Sequence, residues 1–421
     1  LSEAKGMVIN MSLGSYWEII NLKNYRRLWI AQMLSGFGNS LYFVSLMWLV
    51  WNGTKSTLHS GFFAILYDVP QLLLGLWIGV VINRFSLKHV MVFSDLIRAL
   101  GVIIVITCYF LDLLTINVLY IAIFIEGFML VINRPANNAI LPQIVPKDKL
   151  ETANATTQIS NRLVNVSGYG LAGVIVATVG ALFSIIFNAI SFLVSAFLIN
   201  KIDKVVSLNK KKNSLVMDFK EGFKYLKQEP AIIIIFSIGI LMNVGGAPIT
   251  VLGPAYAEKI VNAGATGYGV LQATWLVGIA LGAFFIGYLN TKKLWVTLGL
   301  GFCLQGVAQL AFALSNHLYL SMFFILIHGC FMSVANIPLF SFLQRYVPRE
   351  QLTHVFSILG TLVMVVNPLA FAASGFLAEH IGIRLSYVLG SLLPLVASIL
   401  IILPPWLRKA DKSMTKEEVS I

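Results

Sequence analysis

Val145-Pro146-Lys147-Asp148-Lys149-Leu150 recurs 202 positions later as Val347-Pro348-Arg349-Glu350-Gln351-Leu352. Both hexapeptides set a Val-Pro step before a basic and an acidic residue and close on Leu. The same offset carries Gly173, Gly180 and Ser184 onto Gly375, Gly382 and Ser386, and Asn165 onto Asn367. One such match arises by chance. A set sharing one offset, close to half of the 421-residue chain, points to duplication. Parallel helical repeats with a ligand held between them are the build of a rocking transporter.

Outward from these hexapeptides the chain is apolar. Hydrophobic residues make up 58 % of it and charged residues 11 %, against about 25 % charged in soluble domains. Such a surface suits lipid, not water. With ~20 apolar residues per span, twelve spans are expected, at 28–50, 60–82, 90–111, 117–136, 158–179, 182–200, 231–255, 267–289, 294–314, 318–341, 355–379 and 382–405. Internal Pro and Gly do not veto a span, because neighbouring helices satisfy the freed backbone groups. The expected fold is an all-α membrane protein of twelve transmembrane helices in two pseudo-symmetric six-helix bundles, 28–200 and 231–407. Segments 1–27 and 408–421 are the expected cytoplasmic ends. The linker 201–230 is lysine-rich and repeats Leu215, Phe219, Phe223 and Leu226 at helical spacing, which predicts an amphipathic helix along the inner membrane surface.

The formal charge is +12, yet its placement argues for topology and against nucleic acid. Of 30 Lys and Arg, only Lys55, Lys259 and Arg384 fall in the odd-numbered connections, and Arg98, Arg134 and Arg162 sit within or at the ends of spans. The remaining 24 lie in the termini and even-numbered connections, which sets both termini in the cytoplasm of a multi-pass plasma-membrane protein. Cys108, Cys303 and Cys330 lie in apolar runs and read as packing, not as a disulfide framework or a metal site.

Gly79-Val80-Val81-Ile82-Asn83-Arg84-Phe85-Ser86-Leu87-Lys88-His89 resembles the loop between spans 2 and 3 of the major facilitator superfamily. Gly79, Arg84 and Lys88 match that pattern; Asn83 stands for its Asp and Ser86 for its second Gly, so the carboxylate lock of the loop is degraded. Leu28-Trp29-Ile30-Ala31-Gln32, Asp95-Leu96-Ile97-Arg98, Arg134-Pro135-Ala136 and Ser374-Gly375-Phe376-Leu377-Ala378 resemble the subgroup of macrolide-efflux proteins and siderophore exporters. The resemblance implies a central cavity lined by spans 1, 4, 7 and 10, and export.

Ionisable side chains at membrane depth are costly and functional by default. Asp68 lies about 12 Å into span 2 and Glu126 about 14 Å into span 4, both near the midplane. The offset of 202 carries Glu126 onto His328 in span 10. Gln32, Ser35, Asn39 and Tyr42 form one polar stripe on span 1, and Asn243 adds a polar group to span 7. Each has a structural alternative: Asp68 beside the Pro70 kink, His328 satisfied inside a bundle, Asn39 and Asn243 as interhelical glue. Glu126, with no helix breaker nearby, is the expected coupling acid. Asp95, Arg98, Arg134 and Arg162 are expected near the cytoplasmic face, where a salt-bridge network would hold an inner gate together with the Gly79–Lys88 loop.

The function expected is proton-coupled export of small amphipathic molecules by a monomer, without cofactor, metal or nucleic acid, and with the proton gradient as energy source. A facilitator or importer on the same fold stays open. A membrane-embedded enzyme is remote, since no His-Glu-x-x-His, Gly-x-Ser-x-Gly or phosphate-cradling Gly loop occurs.

Overall fold

The computed structural model describes residues 13–82, 85–203, 229–288 and 294–402. The described residues are helical apart from short turns. In chain order the helices are α1 Leu13–Asn21, α2 Lys23–Thr54, α3 Thr57–Ile82, α4 Leu87–Phe110, α5 Ile116–Ile144, α6 Leu150–Thr178, α7 Ala181–Asn200, α8 Pro230–Val251, α9 Gly253–Lys259, α10 Gly264–Tyr288, α11 Leu294–Leu314, α12 Leu318–Tyr346, α13 Arg349–Ile381 and α14 Ile383–Ile402. Ten of them are long and apolar enough to cross a membrane; α3 and α6 are long but are not among the ten. The first half of α6 carries Asn154, Thr156, Thr157, Gln158, Ser160, Asn161 and Arg162, which dilutes its hydropathy. The protein is an all-α multi-pass membrane protein.

The helices outrun the apolar stretches that announced them. Helix α5 continues past Pro135 and Pro142 to Ile144, and α6 starts at Leu150 instead of 158. Hydropathy marks where lipid begins, whereas the backbone keeps its hydrogen bonds beyond that point. The expected run 231–255 is divided: α8 stops at Val251, Leu252 leaves helical geometry, and Pro254 opens α9 because its missing N–H belongs in a first turn. The amphipathic linker helix lies outside the described residues.

The repeat reappears as geometry. Pro146 and Pro348 have φ/ψ of −55/146° and −53/142°. Gly180 and Gly382 both have φ of +94°, a left-handed conformation that side chains resist, and each separates two successive helices. Buried core positions also correspond at the offset of 202. Ile140, Val145, Ala153 and Ile199 belong to one core, and Phe342, Val347, Val355 and Ile401 to the other. In one half α4 packs on α5 and α7; in the other α11 packs on α12 and α14.

The chain forms two compact units. One holds the described residues up to Leu46 and from Leu73 to 203; the other holds Met47–Leu72 and the described residues from 229 onward. The division runs through α2 and α3. Large apolar side chains such as Phe93, Phe110, Leu163, Phe284 and Leu369 point outward, while serines, glutamines and charged groups are buried. Lipid gives helices little hydrophobic drive to associate, so close backbone approach matters instead. Between α10 and α12, a Cβ on Gly278 or Gly282 would collide with the carbonyls of Leu326 or Cys330.

Candidate functional site

In the first unit, α4 turns Asp95 and Arg98 to one face, three residues apart, and α5 brings Glu126 against them. All three are nearly inaccessible, at 2, 3 and 4 % exposure. Arg98 Nε donates to both Glu126 carboxylate oxygens at 3.1 and 3.0 Å, and one terminal nitrogen makes a shorter contact to Oε1. The other terminal nitrogen reaches Asp95 at 3.4 Å. Asp95 depends more on α7, where the Ser195 hydroxyl donates to it at 2.6 Å, and on Asn133 Nδ2 at 3.4 Å. The guanidinium lies 4.1 Å from the Phe192 ring centre, which covers its apolar face.

Asp95 and Arg98 open on a cavity of about 140 Å³, lined also by Gln32, Asn39, Asn133 and Arg134. Gln32 donates to Asn137 across it. The oxygens of Asn39 Oδ1 and Tyr42 Oη are buried without a hydrogen-bond partner among the described residues. The arrangement sets two buried carboxylates against one buried guanidinium, with Arg134 as the further cation of the lining. A buried ion cluster of this kind is sensitive to the gain or loss of one proton.

The second unit holds a larger cavity, about 480 Å³. Asn243 and Thr250 from α8, Trp275 from α10, Gln305 from α11 and His328 from α12 contribute polar groups to it. His328 is 1 % exposed, and its Nδ1 faces the Gln305 carbonyl at 3.3 Å. Asn243 Nδ2 is turned back to the Gly239 carbonyl at 2.8 Å. A third polar cluster lies at helix ends of the second unit. Glu258 of α9 accepts from Lys55 Nζ at 2.6 Å and from the Trp51 indole. Glu379 of α13 accepts from the Ser56 hydroxyl at 3.1 Å and from the Thr57 amide and hydroxyl at 2.9 Å.

The structure regroups the residues singled out in the sequence. Glu126 was set apart as a midplane acid, and Asp95 and Arg98 as a gate; Arg98 joins all three into one cluster, because i and i+3 on α4 share a face. Arg134 lines the small cavity and is exposed, while Arg162 is exposed on α6 and is not among the lining residues. Lys88 donates to the Ile202 carbonyl at 2.8 Å. Gly79 lies in the last turns of α3, and Asn83 and Arg84 lie outside the described residues. Asp68 is half-buried in α3, within the part of that helix that joins the second unit. Glu126 and His328 occupy matching positions of α5 and α12, each in its own unit. Sequence reasoning missed Ser195, Gln305, Glu258 and Glu379. Ser195 and Gln305 carry no charge to mark them, and the two glutamates sit at span ends where acids are ordinary.

A family profile described as transmembrane secretion effector matches residues 15–419. Macrolide efflux protein A of Streptococcus pyogenes is 22 % identical over 91 % of this chain and 96 % of its own length. The multidrug efflux pump Tap of Mycolicibacterium fortuitum is 24 % identical over 90 % of this chain and 95 % of its own. Among solved structures, a bacterial homologue of the iron transporter ferroportin in an inward-facing state superimposes with a TM-score of 0.74. It is 17 % identical and covers 91 % of this chain and 98 % of that one. A bacterial homologue of the human lysosomal transporter Spinster, inward-facing and occupied, gives 0.71 at 13 % identity, covering 90 % of this chain and 95 % of that one. The profile spans nearly the whole sequence and the fold is that of secondary transporters: the chain belongs to the transmembrane secretion effector family of the major facilitator superfamily.

Proposed function

We propose that the protein exports small amphipathic molecules by alternating access, as a proton antiporter of the plasma membrane. The reading takes α2 to α7 and α8 with α10 to α14 as twelve spans in two six-helix bundles, 28–200 and 231–407, working as a monomer with both termini in the cytoplasm. Export as the direction is supported by two relatives, a macrolide efflux protein and a multidrug efflux pump. The orientation is supported by the distribution of Lys and Arg. A membrane-impermeant thiol reagent added to intact cells should label Lys55→Cys and spare Lys210→Cys; the reverse pattern inverts the topology.

The observation that carries proton coupling is the charge count of the buried cluster. Arg98 commits Nε and one terminal nitrogen to Glu126 and holds Asp95 only at 3.4 Å. Protonation of Glu126 weakens that pairing and frees the guanidinium to turn toward Asp95. The cluster thereby has two arrangements separated by one proton, which is what a switch between inward- and outward-facing states requires. Asp95 and Arg98 line the small cavity, and Glu126 is tied to it through Arg98.

Glu126→Gln imitates the protonated carboxyl and retains a hydrogen-bonding side chain of the same size. In proteoliposomes it should abolish gradient-driven accumulation of substrate while downhill exchange continues, and flux should lose its dependence on external pH. Asp68→Asn is the comparison. Accumulation by Glu126→Gln at the wild-type rate and pH profile would remove Glu126 as the coupling acid. The symmetric grip of Arg98 on both Glu126 oxygens also suits a static ion pair in a facilitator, and that outcome would favour it.

A further inference from the structure

The two cavities differ in chemistry. The small one is lined by Asp95, Arg98 and Arg134. Among the described residues lining the large one there is no Asp, Glu, Lys or Arg, and His328 is its one titratable group. The His328 Nδ1 faces a carbonyl oxygen, which only accepts, so Nδ1 carries the proton and Nε2 of the neutral ring is left as an acceptor.

Two further atoms of the lining are unmatched. Trp275 Nε1, a donor, and Gln305 Oε1, an acceptor, are both buried without a hydrogen-bond partner among the described residues. Buried polar atoms are rarely left so, and one unmatched donor and one unmatched acceptor on residues that line the same cavity invite a ligand that carries both and draws the two side chains toward it. Asn243, Thr250, Asn336 and Asn367 add neutral polar groups, and the remaining wall is largely apolar and soft, with Met242, Met332, Leu339, Phe340 and Phe371. Methionine and aromatic walls adapt to irregular apolar bodies without fixing one shape. The volume of about 480 Å³ falls within the ~300–1,000 Å³ of small-molecule sites. A cation would meet no counter-ion there and would forfeit its hydration.

From this we infer that the cavity lined by α8, α10, α11, α12 and α13 is the seat of an uncharged amphipathic ligand. The ligand is a mostly apolar body bearing at least one hydrogen-bond donor and one acceptor, gripped by Trp275, Gln305 and His328. The inference rests on the transport reading above and narrows its substrate class. It also separates the seat from the ion cluster, so ligand and proton do not compete for one carboxylate.

Gly246 lines this cavity, and a Cβ added there meets nothing within 4 Å. Gly246→Phe therefore directs a ring into the seat from the α8 side, starting from a Cβ that meets no neighbour. The probe is 7-amino-4-methylcoumarin, an uncharged fluorophore with an N–H donor and a carbonyl acceptor, titrated onto the full chain in lipid nanodiscs; tetraphenylphosphonium is the cationic counterpart. Wild type should bind the uncharged probe saturably. Gly246→Phe should weaken it by about tenfold or more, as filling a pocket does, and Gln305→Leu, which keeps side-chain size, by a smaller factor. Saturable binding by tetraphenylphosphonium that displaces the uncharged probe overturns the ligand class. Unchanged probe affinity in both variants, or no saturable binding in wild type, overturns the site. Equilibrium binding needs no gradient, so its failure is distinguishable from failure of transport: bound probe without uphill flux sinks the antiport reading alone. Uphill flux in a Gly246→Phe protein at the wild-type rate sinks the seat alone.

Discussion

Helices α4 and α5 in the first unit and α11 and α12 in the second are counterparts in the duplication, and each pair is joined by a buried polar contact. In the first it is ionic, Arg98 to Glu126. In the second it is neutral, the His328 ring to the Gln305 backbone carbonyl. Glu126 and His328 stand 202 residues apart, at the repeat offset, and are 4 and 1 % exposed. The scaffold thus held while the chemistry diverged. A half that carries buried charge is suited to answering a proton, and a half that carries neutral polar atoms in an apolar wall is suited to holding an uncharged molecule. Duplication supplies two equivalent places, and on the function proposed above their specialisation separates energy coupling from recognition.

The sharpest way to break this contrast is to set loss of the buried guanidinium in the first unit against loss of one buried neutral side-chain group in the second. Arg98→Ala leaves Asp95 and Glu126 buried without their guanidinium, and removal of one partner of a buried pair costs about 3–5 kcal/mol. Gln305→Leu keeps the backbone carbonyl that His328 uses and deletes an acceptor already lacking a partner; its cost should therefore stay below the ~0.5–1.5 kcal/mol of one neutral hydrogen bond. Thermal unfolding in one detergent, read by size-exclusion of the heated sample, should rank Arg98→Ala far below Gln305→Leu. Glu126→Gln in the Arg98→Ala background should recover part of the loss, because it removes one of the two stranded charges. Equal losses in the two single variants would mean that the ionic contact carries no special weight.

The sequence made the membrane class and the duplication legible because both are collective signals: apolar runs, and a motif shared at one offset. The charged residues of the cluster were legible one at a time, since Asp95, Arg98 and Glu126 are each rare at membrane depth. Their grouping was not. Depth along a span does not fix which neighbour a side chain meets, and long side chains erase a turn or more of separation. Arg98, counted near one face, reaches Glu126, counted at the midplane. The large cavity was half legible: His328 and Asn243 stood out, whereas Gln305 and Trp275 gain meaning only from their burial without partners. The break at Leu252 was legible in principle, since Gly253-Pro254 follows it, but an apolar run hides such punctuation.

The second unit is not free of ionisable groups; besides Asp68 within α3 it carries an ion cluster at helix ends, and this cluster supplies the finest test of the contrast. Glu258 accepts from Lys55 and Trp51, and Lys259 Nζ lies 5.0 Å from the Trp51 ring centre. Partial burial pushes the Glu258 carboxyl up, but the hydrogen bonds from Lys55 and Trp51 and the charges of Lys55 and Lys259 outweigh it and hold the group below the ordinary carboxylate range. A carboxyl depressed on folding stabilises above its unfolded value, about 4.3 for Glu, and loses that contribution as pH falls through the folded one. The Lys55–Glu258 pair is 46 and 35 % exposed, so its worth is ~0–1 kcal/mol. The stability difference between wild type and Glu258→Gln should be small and flat from pH 7.5 to about 5, shrinking only in stronger acid. The response of transport to pH near neutrality should survive Glu258→Gln, because the proposed coupling assigns that response to the buried cluster of the first unit. A stability difference that vanishes between pH 7 and 6, or a flux profile flattened by Glu258→Gln, would move the proton-sensing step to this helix-end cluster and end the division of labour drawn between the halves.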